Sequence, residues 1–224
     1  MQMQKKTGCD RCGSCCTGSS PSLLKEDMAL FVSGVLSGSN TITVRDGERV
    51  RSHGDGRTYE SFMELVKVRS DEQGSACIFY NGDDGCAIYE NRPSQCRQYE
   101  CWTRTDLYSG LEKNALDRKD IFGSVDLLID VIDNHEEKCS YRKLSGALQR
   151  LAAEDENAVD EIIDMLQYDT FARPLLQEKL KVPSDTLDLL LGRPMSDAVN
   201  EFGFKVVRDG DEYILMPLED KDGG

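Results

Sequence analysis

Residues 9–16 read CDRCGSCC, four cysteines in eight positions, at Cys9, Cys12, Cys15 and Cys16. A two-residue gap lets the intervening turn bring both sulfurs to one side, where its amides can hydrogen-bond to them. Structural zinc knuckles use this spacing. Three cysteines at successive two-residue gaps also suit three irons of a cubane. The three-residue gap and Cys-Pro that close a ferredoxin run are absent, since Cys16 follows Cys15 directly. Adjacent side chains diverge, so this pair is expected to divide. One sulfur would ligate, and the other would serve a second metal or pack behind the first.

A second block answers the first. Cys77, Cys86, Cys96 and Cys101 are separated by eight, nine and four residues. A ninth cysteine, Cys139, stands apart. The 224-residue chain has no apolar run of membrane-spanning length, and no apolar segment follows the lysines of its opening MQMQKKTG. The expectation is a cytoplasmic protein. In a reducing compartment such cysteines read as metal ligands rather than disulfides, and an odd number excludes complete pairing. The two blocks are expected to share one metal site. Zinc and an iron–sulfur cluster both stay open, because soft thiolates suit either.

The second block also carries a longer phrase, CAIYENRPSQCRQYEC at 86–101. With CDRCGSCC upstream, it resembles the YkgJ family of zinc- or iron-chelating cysteine-cluster proteins. The match runs through Cys9, Cys12, Cys15 and Cys16, then Cys77, Cys86, Ile88, Tyr89, Arg92, Pro93, Cys96 and Arg97, with Cys101 in a trailing position. The resemblance covers about residues 9–101 and implies metal or iron–sulfur chelation. Flagellin lysine methylases, which resemble this group, join a similar cysteine set to methyl transfer from S-adenosylmethionine. No Gly-rich strand–turn–helix fingerprint for that cofactor occurs here. Thiolates around a metal leave net negative charge, which Arg92 and Arg97 could offset from behind the ligands. The plainer reading of each arginine is a surface ion pair. Pro93 would start the helix presenting Cys96, and Ile88 and Tyr89 would pack beneath the site.

Charge divides the chain. Residues 1–110 hold 13 Lys and Arg against 15 Asp and Glu, whereas residues 111–224 hold 14 against 26. An acidic surface disfavours nucleic acid and anionic membranes as partners; its plainer meaning is solubility. The expected fold is α+β. A small cysteine-rich metal-binding domain with short strands and helices fills residues 1–110. A mainly α-helical acidic region, 111–224, follows and ends in a β-hairpin.

Within the first part, the pattern predicts a helix capped at Ser20 or Ser22 and ended by Gly38. A hairpin should turn at Asp46-Gly47. ELVKVR and CIFY read as strands, NGDDG as a loop, and Pro93 as the start of a short helix. In the second part, apolar stripes mark one helix over 118–138 through Ile121, Val125, Leu128, Ile129 and Ile132. Others run through Leu144, Ala147, Leu148 and Leu151, and through Val159, Ile162, Ile163 and Leu166. Two short helices, near 184–191 and 195–202, precede a hairpin turning at Asp209-Gly210.

Other candidates are weaker. His53 sits in a loop. His135 and Cys139 could share a helix face and a metal, but an exposed histidine and a free thiol is the preferred reading, so Cys139 is not expected to ligate. Asp83 and Asp84 lack the alternating oxygens of a calcium loop. Trp102 is expected to shield the site from water. The leading function is metal or iron–sulfur binding without assigned catalysis. Its rivals are an iron–sulfur-dependent enzyme, for redox chemistry or methyl transfer, and a zinc-stabilised module that binds a protein partner. An open pocket beside the cysteines favours the enzyme; a closed four-thiolate shell favours the module. The first half is also expected to depend on its metal for folding, because its own core looks small.

Overall fold

A computed structural model describes residues 8–51, 57–71, 74, 76–101, 111–209 and 212–218. Helices and short antiparallel strand pairs build an α+β fold. After a 3-10 turn at Lys25–Asp27 come α1 (Met28–Val32), β1 (Thr41–Val44), β2 (Arg49–Arg51), β3 (Thr58–Glu60) and β4 (Leu65–Val68). Then follow α2 (Ser94–Gln98), α3 (Leu111–Asn114), α4 (Arg118–Phe122), α5 (Asp126–Lys138), α6 (Tyr141–Ala152) and α7 (Asn157–Leu180). The chain finishes with α8 (Leu187–Leu191), α9 (Met195–Ala198), β5 (Phe204–Asp209) and β6 (Glu212–Pro217).

The predicted helix over 20–38 is much shorter than expected. Residues 22–24 are extended instead: Ser22 bridges Lys67, and the Leu23 amide donates to the Val66 carbonyl at 2.8 Å. With the backbone committed to a strand edge, the helix cannot begin until the Lys25–Asp27 turn.

The predicted hairpin of 41–52 is also overturned. A turn does form, and the Glu48 amide donates to the Arg45 carbonyl at 3.1 Å. Beyond it the strands part: β1 pairs with β4, and β2 with β3. The cause is Arg45, whose side chain is fully buried and reaches out of the turn to Glu136 at 2.9 Å and to the Cys139 carbonyl at 2.8 Å. CIFY gives only the isolated bridges Ser70–Cys77 and Tyr80–Cys86. The 118–138 helix breaks at Gly123 into α4 and α5, which leaves Val125 about half exposed.

The other helical stripes hold. Leu144, Ala147 and Leu148 of α6 and Ile162 and Leu166 of α7 are buried with Met195, Ala198 and Val199, and Val206 and Leu215 of the β5–β6 pair pack on them. The turn expected at Asp209-Gly210 lies at the edge of the described residues. A second core cluster joins Leu23, Leu36, Val66, Val68 and Cys77 to Leu116 and Leu189. A third holds Ile132, Leu176, Leu187, Leu190 and Leu191. The second cluster lies under the cysteines and takes its apolar area from both sides of residue 110. Polar ties cross the same line. Arg118, buried, donates to Glu64 at 2.5 Å, Glu136 at 3.0 Å and the Leu190 carbonyl at 3.1 Å. Arg69 reaches Asp188 at 2.9 Å.

Candidate metal centre

The first cysteine block is a chain of turns rather than a helix or strand. The Arg11 amide donates to Cys9 Sγ at 3.4 Å, the N–H···S bond that a knuckle turn offers its first cysteine. Arg11 takes φ +58° and Gly13 φ +76° to close these turns. Gly13 is required on a second ground, because a Cβ there would lie 2.2 Å from Tyr80 Oη. The segment joins the second block through the Cys77 amide, which donates to the Cys16 carbonyl at 2.8 Å. Cys86 begins a turn closed by the Tyr89 amide on the Cys86 carbonyl at 3.2 Å, and Cys96 lies on α2 behind Pro93.

These elements surround one cavity of about 310 Å³. Its lining includes Cys9, Cys12, Cys15, Cys16, Cys77, Cys86, Cys96 and Cys101, along with Phe79, Tyr80, Tyr89 and Arg92. Both blocks therefore face the same space, and none of the nine cysteines is in a disulfide. Among the described residues, no three His, Cys, Asp or Glu side chains converge closely enough to hold an ion as they stand.

Electrostatics shows which sulfurs feel one another. Cys16 is pushed far up by its hydrogen bond with Cys15, by burial, and by the charges of Cys15, Cys77 and Cys86. Cys96 is pushed up to about 12 by burial and then by Cys77, Cys15 and Cys86, with Arg92 opposing. Cys96 counts as exposed because it borders an open cavity, yet the protein around that cavity desolvates its charge. Burial raises Cys77 too, as do Cys86 and Cys15, against a hydrogen bond from the Phe79 amide. Crowded thiols that repel each other's charge stay protonated until a cation enters. Soft donors from both blocks around one cavity thus fit a thiophilic metal.

The arginines divide. Arg92 lines the cavity and stacks on Tyr89, 3.8 Å from the ring centroid. Arg97 turns away, donating to the Arg92 carbonyl at 2.8 Å and to Ser94 Oγ at 2.6 Å. Trp102 and His53 lie outside the described residues.

Asp27 was not legible as a site residue. Its buried carboxylate accepts the Ser94 amide at 2.8 Å and Ser94 Oγ at 2.7 Å, capping α2 from 67 positions away. Its other oxygen accepts the Leu24 amide at 2.9 Å. This anchors the helix that presents Cys96. Asp27→Ala should cost about 1–2 kcal/mol of stability in urea unfolding, as for other lost caps. It should also weaken metal affinity about 10- to 100-fold, as for residues that orient ligands, read by competition with a chelator.

His135 corrects the expectation of an exposed histidine. It is buried, and Nε2 meets Asp169 Oδ1 at 2.8 Å. Cys139 is buried beside it, its Sγ donating to the Met165 carbonyl at 3.4 Å, within the α6–α7 core rather than at the cavity. Burial lowers the His135 pKa, with the Asp169 hydrogen bond opposing, so a neutral ring donates to the carboxylate. Burial works against the Asp169 charge, but His135 and Arg173 outweigh it and hold the carboxyl at about 2. Both groups bind protons more weakly folded than unfolded. Their stabilisation is therefore full above about pH 6.5, the free histidine value. As pH falls, His135 loses its share first, and Asp169 its own between 3.8 and about 2. A thermal melting series from pH 7.5 to about 5 should show this first decline, and His135→Gln should flatten it.

The sequence model of the CxxCxxCC family, described as "putative zinc- or iron-chelating domain", matches residues 8–120. The chain belongs to that family. No curated protein and no solved structure matches it. Among the described residues, no helix is long and apolar enough to cross a membrane.

Proposed function

We propose that this is a metal-chelating protein of the YkgJ type, in which the two cysteine blocks build one shared site for zinc or an iron–sulfur cluster. The observation that carries the reading is the single cavity lined by all eight cysteines of both blocks. Cys15 and Cys86 each act electrostatically on Cys16, Cys77 and Cys96, and these five form the inner set. Cys9, Cys12 and Cys101 complete the lining, as ligands of a second ion or of further irons. Loading would turn the sulfurs inward and displace their protons, so affinity should rise with pH. Bound metal would supply Lewis acidity or electron transfer, while Arg92 offsets the thiolate charge. Residues 1–110 are the chelating unit in this reading, and residues 111–224 its acidic helical support. The work takes place in a reducing, cytoplasmic setting.

A second reading has its own support. A cavity of about 310 Å³ is at the small end of ligand pockets and larger than one ion needs, which favours an enzyme that uses the centre on a small substrate. Anaerobic purification with elemental analysis and an absorption spectrum tests the first reading. Zinc would be colourless, and a cluster brown and broadly absorbing. Protein that takes up neither metal would refute it.

A further inference from the structure

Tyr89 lies between two guanidinium groups. Arg11 stands over its ring at 3.8 Å from the centroid, and Arg92 also lies 3.8 Å from it. The three residues come from different places. Arg11 sits between Cys9 and Cys12 of the first block, and Tyr89 and Arg92 sit between Cys86 and Cys96 of the second. One aromatic ring therefore joins the blocks at the cavity wall, a second link beside the Cys77–Cys16 backbone bond. Arg11 reaches the ring from a left-handed backbone, φ +58°, and beside a glycine that leaves it room. Gly85 has φ +78°, and a Cβ there would come within 3.1 Å of Arg11 Cβ. Glu90, 3.6 Å from Arg11, steadies the guanidinium from the solvent side.

We propose that the Arg11–Tyr89–Arg92 stack is a clasp that holds the first cysteine segment over the cavity and slows release of bound metal. The inference rests on the chelating reading above and adds residues that position its ligands. An aromatic ring attracts a cation on either face, so one ring can hold both arginines where they would otherwise repel. The clasp also places two positive charges beside the thiols. Cys9 of one block and Cys96 of the other both act on Arg92. Thiolates formed on metal binding draw both arginines inward, so the clasp is tightest when the site is loaded.

The test is zinc transfer from the loaded full-length protein to an excess of a chromogenic chelator. Wild type, Tyr89→Phe and Tyr89→Leu are compared. Two partly exposed cation–π contacts predict release about fivefold to thirtyfold faster from Tyr89→Leu. Tyr89→Phe keeps the ring and should stay within about threefold of wild type. Both variants should bind as much zinc as wild type, and the zinc-free proteins should melt together. A merely structural role would not separate Phe from Leu in rate while leaving melting unchanged. If Tyr89→Leu does not fold, Arg11→Gln removes one face of the stack and should release faster than wild type. If the native metal is iron, its transfer to a ferrous chelator is read in the same way. Equal rates for wild type and Tyr89→Leu, or a Tyr89→Phe as fast as Tyr89→Leu, overturn the clasp alone. Wild-type protein that binds neither metal overturns the chelating reading, and the clasp with it.

Discussion

Protein carrying Cys15→Ser should purify with less than about a tenth of the wild-type metal, and Cys96→Ser should do the same. The two residues lie in different blocks, but Cys96 feels the charge of Cys15 directly, and Cys15 acts on Cys77 of the second block as well. Binding of a structural zinc is worth on the order of 10 kcal/mol, and it requires deprotonated ligands, here thiolates. A serine hydroxyl stays protonated at neutral pH and offers a hard oxygen in place of sulfur. Cys139→Ser is the matched control, because Cys139 is buried in another core cluster and donates to the Met165 carbonyl. It should keep full metal content. Elemental analysis after gel filtration in a mild chelator checks all three. If only second-block variants lost metal, the first block would not be part of the site.

Glu136→Ala should lower stability by about 3 kcal/mol in urea unfolding, the low end of the range for broken buried ion pairs. Glu136 Oε2 accepts from Arg45 at 2.9 Å and from Arg118 at 3.0 Å, and both of those side chains are buried. Without the carboxylate, Arg45 loses its acidic partner in the interior beside Arg118, which keeps Glu64. Burial works against the Glu136 charge, but the two arginines outweigh it and hold its pKa below the usual carboxylate range. Water reaches part of the Glu136 side chain, which keeps the loss at the lower end. Because Arg45 comes from the first half and Glu136 from the second, the transition should stay single and move as a whole. This qualifies the expectation that residues 1–110 lean on metal alone. Leu189 and Leu116 complete the core beneath the cysteines, so metal removal should loosen chiefly the two cysteine segments while β1 and β4 remain packed. Limited proteolysis of metal-free protein should cut first within residues 9–20 and 77–101. Early cuts within β1 or β4 would contradict it.

The parts of this molecule legible in its sequence are those written in short range. CDRCGSCC and CAIYENRPSQC carry their chemistry within a few residues, and the apolar stripes of α6 and α7 repeat every turn. What escaped reading depended on partners far along the chain. Asp46-Gly47 does make a turn, but Arg45 beside it is drawn to Glu136, 91 positions on, and the strands separate. Nothing local marks Asp27, whose carboxylate meets Ser94, 67 positions on. His135 and Asp169 lie 34 residues apart, and only the packing of α5 on α7 makes them a pair. The Arg11–Tyr89–Arg92 stack joins residues from separate blocks that no local pattern relates.

The measurement that bears most directly on the shared site is an anomalous difference map from crystals of the metal-loaded protein, collected at the edge of the metal that elemental analysis identifies. Metal is expected within the cavity, with at least one sulfur from residues 9–16 and one from residues 77–101 bonded to the same ion or cluster. For zinc, the distances would be about 2.3 Å. Metal bound by one block alone, or lying outside the cavity, would contradict it.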